Sequence, residues 1–221
     1  EGYYKDFRLL TSMNRNQMYT DETAPEGTPD IEKKDFMVEN GQAYGVDFSL
    51  KYEDSRWYLW GTYSLAFVNR NYQNSEGTIV NYRTHYDRRH NVNLMMTYTA
   101  GLRRLWDISL RWNFGSGCPF TQVTGFYEKL PYDNISFDPY TESGYLGILY
   151  GDLNTGQLPS YHRLDLDVKR RFNITETINL EANLSITNVY DQRNIFYIDV
   201  VSTQTIYQLP FMPSIGLTLS F

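Results

Sequence analysis

Residues Met212 to Phe221 read MPSIGLTLSF, and their alternation decides the fold class. Ile215, Leu217, Leu219 and Phe221 occupy one phase of a period of two, while Ser214, Gly216, Thr218 and Ser220 occupy the other. Successive side chains of a strand point to opposite faces, so this tail is a strand with one apolar face. Soluble sheets contain such strands too. The tail therefore takes its meaning from the segments that precede it.

Working back towards the start, the same period recurs. Ile178, Leu180, Ala182, Leu184 and Ile186 alternate with Asn179, Glu181, Asn183 and Ser185. Leu164, Leu166, Val168 and Phe172 alternate with Arg163, Asp165, Asp167, Lys169 and Arg171. Trp106, Ile108, Leu110, Trp112 and Phe114 form another apolar phase, as do Val92, Leu94, Met96 and Tyr98. Trp57, Leu59, Gly61, Tyr63, Leu65 and Phe67 form a further one, and Tyr44, Val46, Phe48, Leu50 and Tyr52 the last that is clean. The opening stretch EGYYKDFRLL reads as a strand already in progress, with faces that the pattern leaves unassigned, and it points to a fragment of a longer chain. Eight strands running alternately up and down are expected. Their connections alternate between about four residues and roughly fifteen to forty-five, read from the turn-forming residues. The long ones, residues 14–40, 69–87, 115–160 and 191–210, carry no sustained period and are expected to be loops.

Composition bounds the class. No apolar run approaches the roughly 18–20 residues that a spanning helix needs, and the mean hydropathy is negative. Neither fact excludes a membrane barrel, in which half of every strand is polar. A net charge of -6 argues against a nucleic-acid partner, which calls for a basic face. Cys118 is the single cysteine, so no internal disulfide forms.

Three features place the apolar face in lipid. The strands match the ~9–11 residues that cross a bilayer at a tilt. Short and long connections alternate as they do in outer-membrane barrels. On the apolar phase, Tyr52, Trp57, Tyr98, Trp106, Phe172 and Phe221 gather at the short-turn end, and Tyr44, Phe67, Trp112, Phe114 and Tyr190 towards the long-loop end. Two aromatic belts with aliphatics between them are interfacial girdles. The competing reading is a soluble sandwich or a lipocalin-like barrel with an aromatic core; the belts are what it leaves unexplained. Arg170 is the one charge on an apolar phase and lies near the short-turn end, where it can reach headgroups.

Several stretches then resemble the TonB-dependent outer-membrane receptors, in the form common among Bacteroidota. They are Glu1 to Asp6 (EGYYKD), Gly41 to Asp47 (GQAYGVD), Tyr86 to His90 (YDRRH) with Val92-Asn93-Leu94, and Phe114 to Thr121 (FGSGCPFT). Leu158 to Leu166 (LPSYHRLDL), Asn188 to Phe196 (NVYDQRNIF) and the closing Leu209 to Phe221 continue the series. The resemblance spans essentially the whole sequence, in order. It implies an all-β transmembrane antiparallel barrel of which residues 1–221 supply about the last eight of 22 strands, with the plug and the earlier strands in the remainder of the protein, on the same or another chain. A self-closed eight-stranded barrel is the alternative architecture, its interior filled by charged side chains.

The resemblance further implies import of a bulky nutrient of glycan, peptide or siderophore class, SusC-like or siderophore-receptor-like, with the C-terminus in the periplasm. The implied partners are the TonB complex, membrane lipid and lipopolysaccharide, and a SusD-like surface lipoprotein. The competing function is a receptor-like barrel serving as scaffold in a larger outer-membrane complex. No cofactor and no metal is implied, and no catalytic residue is assigned. His85, His90 and His162 read as structural, and Asp165 and Asp167 as ion-paired within a face that also carries Arg163, Lys169 and Arg171. Candidate ligand contacts lie in the longest loop: Tyr127, Tyr132, Asp133, Asp138, Tyr140, Tyr145, Tyr150 and Asp152, rigid rings with polar tips beside acids. Packing between loops explains these residues equally well. Ile215, Leu217, Leu219 and Phe221 are the expected barrel-assembly signal.

Overall fold

The computed structural model describes residues 1–13, 36–73, 77–129, 145–175, 178–199, 202 and 204–221. Among them every regular element is a strand. In chain order these are β1 (Gly2–Met13), β2 (Phe36–Glu53), β3 (Trp57–Gln73), β4 (Ile79–Arg83), β5 (His90–Ala100), β6 (Trp106–Gly115), β7 (Pro119–Phe120) and β8 (Val123–Lys129). There follow β9 (Tyr145–Tyr150), β10 (Gly156–Gln157), β11 (Tyr161–Asn173), β12 (Asn179–Thr187), β13 (Ile195–Ile198), β14 (Thr205–Tyr207) and β15 (Met212–Ser220).

The eight strands expected from the periodicity form one antiparallel meander in the order β1-β2-β3-β5-β6-β11-β12-β15, with β4 added to the far end of β3. Among the described residues β1 pairs only with β2 and β15 only with β12, so both sheet edges are unpaired. The described parts of the long connections hold strands that their sequences do not indicate. β2 starts within the stretch expected to be loop, and β3 runs on past Asn69 to pair with β4. Small two-stranded ribbons, β7 with β10, β8 with β9 and β13 with β14, occupy the other two connections. Strand signals in these stretches are weak because the side chains on both faces are mixed, so no period of two survives.

Register aligns the apolar phases into continuous rows. Tyr52, Leu59, Met96, Leu110, Leu166, Ile186 and Pro213 lie side by side across seven strands. Trp57, Tyr98, Ile108, Val168, Leu184 and Ile215 form the next row. The unassigned first strand joins this scheme, with Tyr4 opposite Tyr44.

Burial is inverted relative to a soluble domain. Among the described residues, Ala43 and Pro119 are the buried apolar side chains, whereas Glu39, Thr84, Asp87, Asn188 and Asn194 are buried. Phe48, Leu50 and Leu94, all in apolar rows, stand exposed, Leu50 at 77%. A single sheet with its apolar face uncovered has no sandwich core.

Both aromatic belts are built. At the short-turn end Trp57 and Tyr98 rings lie 4.4 Å apart. Arg170 extends over Trp106 and Phe172, at 4.6 and 4.4 Å from their centroids. At the other end Tyr44 stacks on Phe67 at 5.0 Å, and Trp112 on Phe114 at 5.9 Å. Beyond Tyr44 and Phe67 the same phase turns polar, continuing as Gln42 opposite Asn69 and Asn40 opposite Asn71. The apolar band therefore has a finite height. From Trp57 to Phe67 the chain advances about 33 Å at ~3.3 Å per residue.

Candidate ligand-binding surface

Two features sit past the upper belt, where the sheet meets its long connections. The first is a pair of buried carboxylates. Glu39 is 1% exposed and accepts hydrogen bonds from the Tyr82 hydroxyl (2.7 Å) and from Arg70 Nη1 (3.1 Å). Arg70 in turn donates to the Tyr86 hydroxyl at 2.9 Å. Asp87, fully buried, accepts from Arg83 Nε (2.7 Å), Arg89 Nε (3.0 Å) and the Val68 amide (3.0 Å). A buried carboxylate is tolerated when paired and hydrogen-bonded in this way. Burial and then the Glu39 carboxylate hold the Tyr82 phenol well above its ordinary pKa. Burial followed by the charges of Glu39 and Asp152 acts on Tyr72 in the same direction.

The second is an amide-lined recess of about 750 Å³ bounded by Gln42, Asn69, Asn71, Asn81, Asn154 and Gln157. Asn154 anchors its far side. Its Nδ2 donates to the Arg83 carbonyl (2.7 Å), and its amide donates to Thr121 Oγ1 (3.1 Å). Amides donate and accept at once, so such a wall matches the hydroxyls or amides of a polar solute.

The polar face of the meander carries a third surface. Three register rows cross β5, β6 and β11: Asn91, Gly115 and Tyr161; Asn93, Asn113 and Arg163; Met95, Arg111 and Asp165. Asn91, Tyr161, Asn93, Asn113, Arg163 and Arg111 of these rows line a recess of about 460 Å³ that Arg88 and Gln208 complete. Arg88 lies flat on Gly115, where a Cβ would come within 2.6 Å of its Nη1, and it packs over the Tyr161 ring at 5.7 Å. Farther down this face are the ion pairs Arg171–Asp107 (2.7 Å) and Lys169–Glu181 (3.5 Å). Arg163 pairs with Asp165 at 3.0 Å, as the shared face leads one to expect. Asp167 is held differently, by a short hydrogen bond from the Ser185 hydroxyl.

The candidates from the longest loop separate. Tyr127 lays its ring on Gly147, its cross-strand partner, where a Cβ would come within 2.1 Å of it. Tyr150 ends β9 opposite Val123, and Tyr145 begins it opposite Lys129. Asp152 lies near the amide recess, whose lining begins at Leu153. Tyr132, Asp133, Asp138 and Tyr140 lie outside the described residues. Ile215, Leu217, Leu219 and Phe221 are exposed on the last strand, Phe221 at 98%. Of the histidines, His90 Nδ1 meets the Tyr63 hydroxyl and His162 Nδ1 the Tyr190 hydroxyl, each at 2.9 Å, while His85 packs edge-on against Tyr86.

Sequence reasoning missed Glu39 and the asparagines of the recesses. The second residue of the YDRRH stretch, Asp87, was visible only as part of a resemblance.

Two solved structures share the fold. One is the ferripyoverdine receptor of the outer membrane of Pseudomonas aeruginosa bound to ferripyoverdine, at TM-score 0.56 and 13% identity over 99% of this chain and 24% of that one. The other is the FpvAI–pyocin S2 complex, at TM-score 0.57 and 14% identity over 99% of this chain and 23% of that one. The chain thus spans about a quarter of the length of the structures it matches. The chain shares its all-β antiparallel fold with these two structures. No family model matches the sequence. No curated protein matches it either.

Proposed function

We propose that this chain is the closing part of the barrel of a TonB-dependent outer-membrane receptor that imports a bulky solute of glycan, peptide or siderophore class. The observation that carries the reading is the exposed apolar band between two aromatic belts. At a strand tilt of 35–45°, the rise from Trp57 to Phe67 corresponds to a height of about 25 Å, the height of a lipid-facing barrel band. Apolar area on that scale belongs against lipid or another protein. The polar face then lines a lumen, and the short turns with Phe221 face the periplasm.

In this reading the unpaired edges of β1 and β15 join further strands of a barrel of 22, whose plug couples to TonB. A surface lipoprotein of SusD type, lipopolysaccharide and lipid complete the surroundings, and the relation to Bacteroidota receptors rests on the sequence motifs alone. The long connections carry the amide recess on the outer side.

Fractionation tests the location, and uptake tests the role. The protein is expected in the outer-membrane fraction as a heat-modifiable band, and solute accumulation is expected to stop when TonB is removed. Recovery in the aqueous fraction overturns the membrane reading; uptake indifferent to TonB overturns the transport reading.

A further inference from the structure

We propose that the recess floored by β5, β6 and β11 is a binding site for a carboxylate- or phosphate-bearing solute, with Arg88 and Arg111 as its anion-gripping residues. The assignment rests on the receptor reading above, because it gives that receptor's solute a charge.

Three guanidiniums, those of Arg88, Arg111 and Arg163, border the recess, and Asp165, the register partner of Arg111, lies beside it. That carboxylate is committed. One oxygen takes both Arg163 Nε (3.2 Å) and Nη2 (3.0 Å), and the other accepts the Asn188 amide (3.0 Å). Arg163 is thereby neutralised. Arg88 and Arg111 have no ion pair among the described residues, Asp165 opposite Arg111 being taken by Arg163, so those residues leave two guanidiniums at the recess unpaired. On a wall where the neighbouring cations Lys169 and Arg171 each have an acid, this is an exception.

Position adds to charge. Arg88 is set by two contacts at once, the open face of Gly115 below it and the Tyr161 ring beside it. A side chain held in this way loses less freedom when it binds, which favours a ligand over solvent. Asn91, Asn93 and Asn113 surround the pair with neutral donors and acceptors, suited to hydroxyls next to the anionic group. A volume of about 460 Å³ takes a small molecule or one corner of a larger one. Forked guanidiniums select planar carboxylate or phosphate oxygens over a simple halide.

The test is equilibrium dialysis of the detergent-purified protein against radiolabelled citrate and against inorganic phosphate, with uncharged maltotriose as control. Saturable citrate or phosphate binding that weakens with salt is expected, with maltotriose unable to compete. Arg111→Gln and Arg88→Gln should each weaken it about tenfold or more, the worth of a charge-assisted hydrogen bond. Gly115→Ala leaves every charge in place but lifts Arg88 off its seat, and should weaken binding severalfold by ~1 kcal/mol of lost positioning. Arg111→Lys, which keeps the charge and the fold, should lose most of the preference for citrate over chloride. The two ligands tell a carboxylate site from a phosphate site.

Absence of saturable binding of either anion overturns the proposal, and so does binding unchanged in the Arg88 and Arg111 variants. If an acidic segment of the protein fills the recess instead, citrate fails to bind, which is the first of these results. A protein that fractionates with the outer membrane yet binds neither anion refutes this inference and leaves the receptor reading intact.

Discussion

The Arg170 guanidinium lies over the Trp106 ring, 4.6 Å from its centroid, on a face whose other side chains are apolar. Phe172 receives it from the other side at 4.4 Å. A charge is tolerable there because the ring faces attract it and the position is at the rim of the band. Arg170→Ala should therefore change stability by less than about 1 kcal/mol. Leu94→Arg, placed in the row of Gly61 and Trp112 near mid-band, should cost about 2–4 kcal/mol. Heat-modifiable protein in the outer-membrane fraction measures both. Equal yields from the two variants would show that the face is not in lipid.

Asp87 tests whether the buried carboxylate is structural. Asp87→Asn keeps the shape, yet it leaves Arg83 and Arg89 without their shared anion. Both arginines retain access to water, so a loss of about 1–3 kcal/mol is expected, read from the midpoint of heat modification. A midpoint unmoved by the change would remove this cluster from the account.

Tyr82 makes the long-connection end of the sheet sensitive to alkali. Its folded pKa is raised above the ordinary 10.0 of the unfolded chain, so its contribution is fully present below pH 10.0 and is lost as pH rises from there through the folded value. The protein should lose stability above pH 10.0 more steeply than Tyr82→Phe does. Parallel pH profiles would mean that the Tyr82 phenol is not raised above its ordinary pKa in the folded protein.

Asn188 holds the chain where β12 gives way to the last long connection. Its backbone is left-handed at φ 56°, and its side chain bonds the Gln192 amide (2.9 Å), the Gln192 carbonyl (2.9 Å) and the Leu209 carbonyl (3.0 Å). Asn188→Gly keeps the backbone freedom and loses the bonds; Asn188→Ala loses both. Hydrogen exchange in β13 and β14 should quicken in both, and more in the alanine variant. Equal quickening in the two variants would shift the weight from strain to hydrogen bonding.

Phe221 is exposed past the end of β15 and makes little packing contribution. Its deletion should slow assembly in cells while leaving the heat-modification midpoint of assembled protein within about 0.5 kcal/mol of the original. A shifted midpoint with unchanged assembly kinetics would assign Phe221 to packing.

Seven of the eight meander strands were legible because each crosses the apolar band, where one face is apolar and the other polar; the first was read as a strand without assignable faces. Past Phe67 that contrast lapses, and with it the signal. Asn69 and Asn71 sit in as regular a ladder as Leu59, yet nothing in their polarity marks a strand. Glu39 and Asp87 were hidden for a different reason: a buried carboxylate and a solvated one are the same letter, and only the arrival of Tyr82, Arg70, Arg83 and Arg89 from other positions distinguishes them. Of the arginine-bordered recess, the sequence showed only that Arg163 falls on a polar phase. What the sequence could not place was Arg88 on Gly115, a contact between the connection before β5 and the end of β6.

The two unpaired edges carry a constraint of direction. Along the meander each strand reverses the one before it, so the first and last of eight run opposite ways. Any ring that closes from β15 back to β1 through further up-and-down strands, every contact antiparallel, must insert them in even number. An odd insertion would force one parallel seam, which a short turn cannot make. The wall seen here fixes the parity of whatever completes it.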